Sequence, residues 1–347
     1  MITLIYFIII LGLIVLVHEG GHFLFAKLFG IYVYEFAIGM GPKIFSKKDK
    51  KGETSYSIRA IPIGGFVSLA GEEVDDDDSI PQDRKLYNKP AWQRFLVMFF
   101  GAGFNFIFAI FTLLLIGTIW GAPDTRSIIS SVSEGYPADI AGIEQGDIVK
   151  SINGKKTSTS DDLALYMQLA DKTKPIDFVI DRDGKEYQIT VNPVEVENEG
   201  EKSYVVGITM GSTEVSRGFV DTIKFTFVKT GSLFKQMFIT FKSLFDGSVK
   251  VNDLSGPVGI YSVVGTYRES GFENILYLIA LLSINVGFIN LIPFPAFDGG
   301  RILFLIIEKI KGSPVSPKVE NMVHSVGFGL LMALMVYITL NDILKLF

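Results

Sequence analysis

Four long apolar stretches constrain this 347-residue chain more than any other feature. They run from about Met1 to Ala26, Phe95 to Trp120, Ile275 to Phe297 and Met322 to Leu340. Each is near or above the roughly 20 residues that a helix needs to cross a bilayer. Hydrocarbon offers no water to an exposed peptide group, so each stretch must satisfy its backbone internally, as a helix. Composition agrees: 48% of residues are hydrophobic and mean hydropathy is +0.38, which suits a membrane protein better than a soluble one. The first stretch begins as a signal peptide would, but it passes into HEGGH with no small-residue cleavage site. It is read as a retained helix.

Lysine and arginine near the spans set the expected orientation. The first connection holds Lys27, Lys43, Lys47, Lys48, Lys50, Lys51 and Arg59, then Arg84, Lys85, Lys89 and Arg94; the last holds Arg301, Lys309, Lys311 and Lys318. Both are expected on the cytoplasmic side, which leaves the N-terminus and residues 121–274 outside. Within the first connection, YEFAIGMGPKIFSKK and TSYSIRAIPIGGFVSLAGEE read as hairpin-like strands at the membrane surface, able to enter it only where protein shields their backbone. The acidic run Glu72 to Asp78 reads as a solvated loop. Residues 122–210 have a soluble composition with short strands such as IDFVIDRDGKEYQITV. In residues 219–245, Lys224, Lys235 and Lys242 share one helical stripe, which Lys229 breaks. An amphipathic helix on the outer leaflet or against the spans, and a helix packed on the soluble segment, both fit this pattern. The net charge of −5 does not suit a nucleic-acid partner.

The chemistry lies in the first span. His18 and His22 are one helical turn plus about 40° apart, so both imidazoles can reach one ion from the same face. With Glu19 between them they form HExxH, in which two histidines bind zinc and the glutamate serves as general base. A structural pair of polar residues would also have to account for a carboxylate in hydrocarbon, at a cost of roughly 2.5 kcal/mol or more. Gly20 and Gly21 remove bulk beside the site, for a substrate backbone or for a neighbouring helix. The chain has no cysteine, so a third ligand must be His, Asp, Glu or Asn.

Two residues could supply it. Asp298, in NLIPFPAFDGGR, follows Pro293 and Pro295, which break helix, and precedes Gly299 and Gly300, which permit a sharp turn. It is expected at the end of a broken third span, facing the bundle interior. His324 opens the fourth span and reads better as an interfacial or bundle-facing histidine. Asn105, Asn285 and Asn290 lie inside spans, where they either bond across helices or hold an unwound substrate. A binding adaptor would lack the base or a ligand, and a metal transporter would carry several ligand sets; the sequence has one complete set.

HEGGH in the first span and NLIPFPAFDGGR after the third, with a soluble segment between the second and third, give the chain a strong resemblance to the bacterial site-2 protease family of intramembrane zinc metalloproteases, of the RseP/RasP type. FAIGMGPKIF, IPIGGFVSLAGE, NKPAWQRF and LSGPVGI extend the resemblance along almost the whole chain, in the family's order. It implies His18, His22 and Asp298 as ligands to Zn2+, Glu19 as catalytic acid and base, and Asn290 and Asn105 as substrate-positioning residues. It also implies that the strands after the first span form a membrane-associated β-hairpin. Span two reads GAGFNF where family members often have a proline after the first glycine.

The segment SEGYPADIAGIEQGDIVKSINGKK resembles a PDZ domain, and only one fits the length. Such a domain can bind a chain end as an added strand, or filter substrates by size. The expected whole is a polytopic α-helical membrane protein with four transmembrane helices, a membrane-associated β-hairpin region and an inserted α/β PDZ domain. Its expected parts are 1–120 with the first two helices, 121–210 as an extracytoplasmic PDZ domain, 211–273 as an amphipathic helical connector, and 274–347 with the last two helices. The expected partners are the lipid bilayer and single-span membrane-protein or signal-peptide substrates, in the bacterial cytoplasmic membrane.

Overall fold

A computed structural model describes residues 2–72, 77–198, 201–211, 214–250, 252 and 254–345. Among the described residues, four helices are long and apolar enough to cross a membrane: Ile2–Leu28, Ala91–Ile119, Phe272–Leu291 and Lys318–Leu344. The chain divides into two compact units, Met1–Thr112 with Val251–Phe347, and Leu113–Lys250; the boundary falls inside the second of these helices.

In the first unit, helix α1 (Ile2–Leu28) is followed by strands β1 (Val33–Lys48) and β2 (Ser55–Leu69). Each strand bends back on itself, so the expected hairpin becomes a sheet four segments wide. Residues 33–38 pair with 65–69 on one side and align with 55–58 on the other, and residues 43–48 pair with 55–59. Segment 65–69 is therefore an edge. Gly39 (φ +85°) and Gly64 (φ +81°) occupy the bends, in backbone regions that other residues enter at a cost. A side chain at Gly39 would also strike the Ile61 carbonyl at 2.4 Å. The bend reaches far along α1: a Cβ at Gly12 would lie 3.9 Å from the carbonyl of Pro62. Gly12 is about 9 Å up the helix axis from His18, at a rise of roughly 1.5 Å per residue.

One ionic cluster ties three of the four segments together. Glu35, on the 33–38 segment, accepts from Lys43 (2.8 Å), from Arg59 (2.9 Å) and from the Ser57 hydroxyl. Arg59 also donates to the Gly41 carbonyl at 2.7 Å and lies over the Phe66 ring. The acidic loop expected at Glu72 to Asp78 lies partly outside the described residues, at 73–76; Glu72 itself pairs with Arg301 at 3.1 Å.

Helix α2 (Ala91–Ile119) returns along α1. The second unit then follows, with β3 (Ala122–Pro123), β4 (Ile129–Val132), α3 (Pro137–Ile140), β5 (Ile148–Ile152), β6 (Lys155–Lys156), α4 (Ser160–Leu169), β7 (Ile176–Arg182), β8 (Lys185–Val191), β9 (Val194–Asn198), β10 (Glu201–Val205), β11 (Ile208–Met210), β12 (Val215–Ser216) and α5 (Phe219–Phe245). Its main sheet has the order β6-β5-β7-β8, and its core gathers Ile129, Ile143, Val149, Leu163, Phe178 and Ile180. In the AGIEQGD corner, Asp147 is buried and accepts from Arg182 at 2.7 and 2.8 Å. Within this unit α5 docks on α4: Lys229 and Lys235 reach Asp161 (2.7 Å) and Asp162 (2.8 Å), and Ser232 bonds Thr159 at 2.8 Å. Lys229, which breaks the lysine stripe, thus faces an acidic partner, as does Lys235. Of the two readings of this helix, packing on the soluble segment is the one the unit displays.

The first unit resumes with α6 (Pro257–Glu269), α7 (Phe272–Leu291), α8 (Asp298–Lys311) and α9 (Pro317–Leu344). The expected connector 211–273 therefore holds two helices that fall in different units. The LSGPVGI motif is the start of α6, where the amides of Gly256 and Gly259 donate to one oxygen of Asp342 at 2.8 and 2.9 Å. A carboxylate at a helix N-terminus satisfies amides that have no partner within the helix. Phe7, Ile10 and Ile14 of α1, Val264 of α6, and Ile275, Leu278 and Ile279 of α7 form one buried cluster.

Burial pushes the Glu35 carboxyl up, but its hydrogen bonds from Lys43, Ser57 and Arg59 outweigh burial, and the net shift is downward from the usual 4.5. A depressed carboxylate contributes stability that is complete above its unfolded value and is lost as pH falls through the folded one. Lowering pH from 7 to below the usual 4.5 is therefore expected to reduce the thermal midpoint of the purified protein. Glu35→Gln is expected to lower the midpoint at pH 7 and to show a smaller acid-dependent drop than the parent.

Candidate metal centre and active site

His18 and His22 project from one face of α1 towards α2. The turn between them is close-packed: a Cβ at Gly21 would lie 1.9 Å from the Phe100 carbonyl, whereas Gly20 meets nothing within 4 Å. Only Gly21, then, serves helix packing. The Phe25 and Phe100 rings stack at 3.9 Å one turn further on. The imidazole of His22 fills the space that a side chain at Gly101 would need, since a Cβ there would sit 2.3 Å from Nε2. His22 Nδ1–H donates to the Val97 carbonyl at 2.8 Å. A carbonyl can only accept, so this bond fixes the tautomer and turns the Nε2 lone pair outward.

Asn105 stands behind His18. Its amide lies 3.4 Å from His18 Nδ1, and its Oδ1 is buried with no other partner. With amide N and O interchanged, the oxygen faces the ring and accepts Nδ1–H, which leaves the Nε2 lone pair free for a cation. Asn105 is 0% exposed. It reaches the histidine and is not among the residues that line the chamber described below.

The third group arrives from the other end of the chain. Helix α7 stops at Leu291, six residues short of the expected Phe297, because Pro293 pushes Ile292 into an extended conformation (ψ 134°). Asp298 does not end this helix but opens the next, α8, with Phe297 as its N-cap. The glycines after it also act differently from expectation. The left-handed residue is Ala296 (φ +89°), not Gly299 or Gly300. The two glycines are helical, and they let the carbonyls of Leu291, Ile292 and Phe294 lie 2.3 to 2.5 Å from where their Cβ atoms would be. Helix α9 clamps the same loop: a Cβ at Gly327 would lie 2.4 Å from the Pro295 ring, and His324 Nδ1 accepts from the Ala296 amide at 3.2 Å.

These contacts bring three ligand atoms together. Asp298 Oδ2 lies 3.2 Å from His18 Nε2 and 3.3 Å from His22 Nε2, and the two nitrogens are 3.3 Å apart. A tetrahedral cation bound at roughly 2.0–2.1 Å, the reach of zinc to imidazole and carboxylate, spaces its ligands by about 3.3 Å. The triangle has that edge on all three sides. Asp298 Oδ2 is buried and lacks a well-directed hydrogen bond, which also suits an ion. Among the described residues, His18, His22 and Asp298 are the one such group, and His324 is not part of it.

The triangle opens into a chamber of about 860 Å³ lined by Glu19, Phe66, Val67, Asn290, Arg301 and His324, among others. Glu19 Oε2 accepts from the Val67 amide at 3.0 Å, so the edge segment of the sheet holds this carboxylate. Asn290 spends one N–H on the Val286 carbonyl at 3.0 Å and faces the chamber. Asn285 is not among the residues lining it. Gly101 and the Val67 amide escaped the sequence reading. A glycine and an asparagine four apart on one face of an apolar helix were the available sign of the first; a backbone amide leaves none.

The family model of peptidase family M50 matches residues 6–334. The chain belongs to this family. A putative zinc metalloprotease of Clostridium perfringens is 41% identical to this M50 peptidase over 332 residues, 95% of each chain. The regulator of sigma-W protease RasP of Bacillus subtilis is 32% identical over 422 aligned positions, 99% of each chain. The probable protease eep of Enterococcus faecalis is 34% identical, again over 99% of each chain. A solved PDZ domain of an SdrC-like protein from Listeria monocytogenes matches 25% of this M50 peptidase and 88% of its own chain, at 18% identity and a TM-score of 0.22.

Two outcomes are expected for the M50 peptidase. Gly101→Ala drives a methyl into the His22 ring and should abolish stable metal retention, read as metal per chain after gel filtration, while the secondary structure stays helical by circular dichroism. Asn105→Leu removes the acceptor behind His18 and should weaken metal affinity by roughly 10–100-fold in a chelator competition.

Proposed function

We propose that this M50 peptidase is a zinc endopeptidase that hydrolyses a peptide bond in or near a transmembrane segment of its substrate. The observation that carries the reading is the three-sided cluster of His18, His22 and Asp298, with edges of 3.2 to 3.3 Å, set beside Glu19 on a membrane-length helix. In this reading the two imidazoles and the aspartate would hold zinc. Zinc bound there would supply a Lewis acid that polarises a carbonyl and acidifies water towards pKa ~7.

The chain's own residues do the rest. Glu19 takes a proton from the attacking water and returns it to the leaving nitrogen, as one carboxylate acting first as base and then as acid. Val67 holds Glu19 through the edge segment of the sheet. A helical substrate hides its carbonyls in its own hydrogen bonds, so it must unwind before attack. Asn290 lines the chamber and would bond the freed backbone. The relatives' names point the same way: three are called proteases, two of them with zinc or a sigma-factor regulator in the name. From the family resemblance we infer that the substrates are single-span proteins such as anti-sigma factors, or remnant signal peptides, cut in regulated intramembrane proteolysis. The lysine- and arginine-rich connections support a chamber mouth towards the cytoplasm and the PDZ-like unit outside, where it would either bind a substrate end or exclude bulky ones.

The test is cleavage of a tagged single-span substrate by purified protein in detergent or liposomes. Glu19→Gln should retain metal and fold yet lose turnover by roughly 10²–10⁴-fold. Wild-type turnover by that variant would remove the mechanism.

A further inference from the structure

His324 is the third and last histidine of the chain, and the metal cluster does not use it. It nevertheless lines the same chamber as His18, Glu19, His22 and Asp298. The Ala296 amide donates to its Nδ1 at 3.2 Å. A nitrogen that accepts carries no proton, so the neutral ring must carry its proton on Nε2. That Nε2 is buried and has no hydrogen-bond partner among the described residues. Buried donors are normally paired, and an orphan beside a reaction site calls for a partner that arrives with the ligand.

The ring is also rigidly placed. Its Nδ1 is anchored to the left-handed residue Ala296 (φ +89°), two residues from Asp298. Gly327, one turn further along α9, packs on Pro295 of the same loop. The ring of Phe304 lies 5.7 Å from the imidazole. One short loop thus fixes a metal-binding carboxylate and an N–H donor in mutual register. Hydrolysis of an amide places growing negative charge on the carbonyl oxygen, and a fixed donor in a dry site stabilises that charge without reorganising.

We propose that His324 is a catalytic residue, whose Nε2–H donates a hydrogen bond to the scissile carbonyl oxygen of the substrate as charge develops there. No proton is transferred by the ring; it donates throughout, and Glu19 carries the proton traffic. The proposal rests on the peptidase reading above and adds a residue that this reading does not need.

Two conservative variants separate the two nitrogens. In His324→Asn the shorter amide can replace Nδ1 as acceptor for Ala296 and removes the chamber donor. In His324→Gln the longer amide can present N–H where Nε2 stood and gives up the anchor. Both are assayed on a single-span substrate beside Glu19→Gln, with metal content and thermal midpoint measured on each protein. The expected result is a drop in kcat of roughly 10²-fold for His324→Asn with little change in KM. His324→Gln should retain activity within about tenfold of the parent, and both should keep a full complement of metal. Parental kcat in His324→Asn overturns the proposal. So does a Gln variant as inactive as the Asn variant, or loss of metal in both, because the ring then serves only to hold the Ala296 loop. If instead Glu19→Gln turns over normally, the peptidase mechanism itself fails, whatever the His324 variants do.

Discussion

The meeting of His18, His22 and Asp298 governs the rest of the first unit. Two of these groups come from residue 18–22 and the third from residue 298, so the ends of the chain must be brought within 3.3 Å of each other. Inside hydrocarbon such groups are tolerable only when protein satisfies them. That requirement accounts for the neighbours: the Val97 carbonyl and Asn105 behind the imidazoles, the Val67 amide on Glu19, and three glycines, at 21, 101 and 299, that let backbones and rings approach without side chains between them. The small residues and the polar residues are two halves of one device. The former bring the helices close, and the latter make closeness affordable for polar atoms.

Much of this was legible in the sequence. The four helices stood out because a bilayer demands about 20 apolar residues in a row, and HEGGH stood out because three polar side chains interrupt one of them. Asp298 was marked by the prolines before it. What could not be read was how the chain turns. The residues between the first two spans spell strands, yet nothing in their alternation says that each strand doubles back to make a sheet four segments wide. Likewise PFPAFDGG advertises a sharp turn at its glycines, whereas the turn falls on Ala296 and the glycines are helical. Glycine tells of missing bulk and of backbone freedom in the same letter, and only the surrounding carbonyls decide which is used.

The remaining motifs gain a physical meaning from their contacts. LSGPVGI is a helix start whose amides are closed by Asp342 from the last helix, which ties two segments more than eighty residues apart in sequence. Two lysines of α5, Lys235 of the stripe and Lys229 outside it, sit on the acidic first turn of α4. There they neutralise the carboxylates of Asp161 and Asp162. The helix that follows the β-rich part is thus bound to it by directed charge pairs, and its long phenylalanine-bearing faces are left to other neighbours.

The bond from the Val67 amide to Glu19 has a further meaning because residues 65–69 are a sheet edge. Along such an edge every second amide points outward, and those outward amides are what an incoming strand would grip. Here one of them is already occupied by the carboxylate. A peptide laid fully along this edge and the carboxylate are rivals for a single proton, so complete pairing at residue 67 and a tethered Glu19 exclude each other. Lodging a chain on the sheet and loosening the carboxylate are in this respect one event.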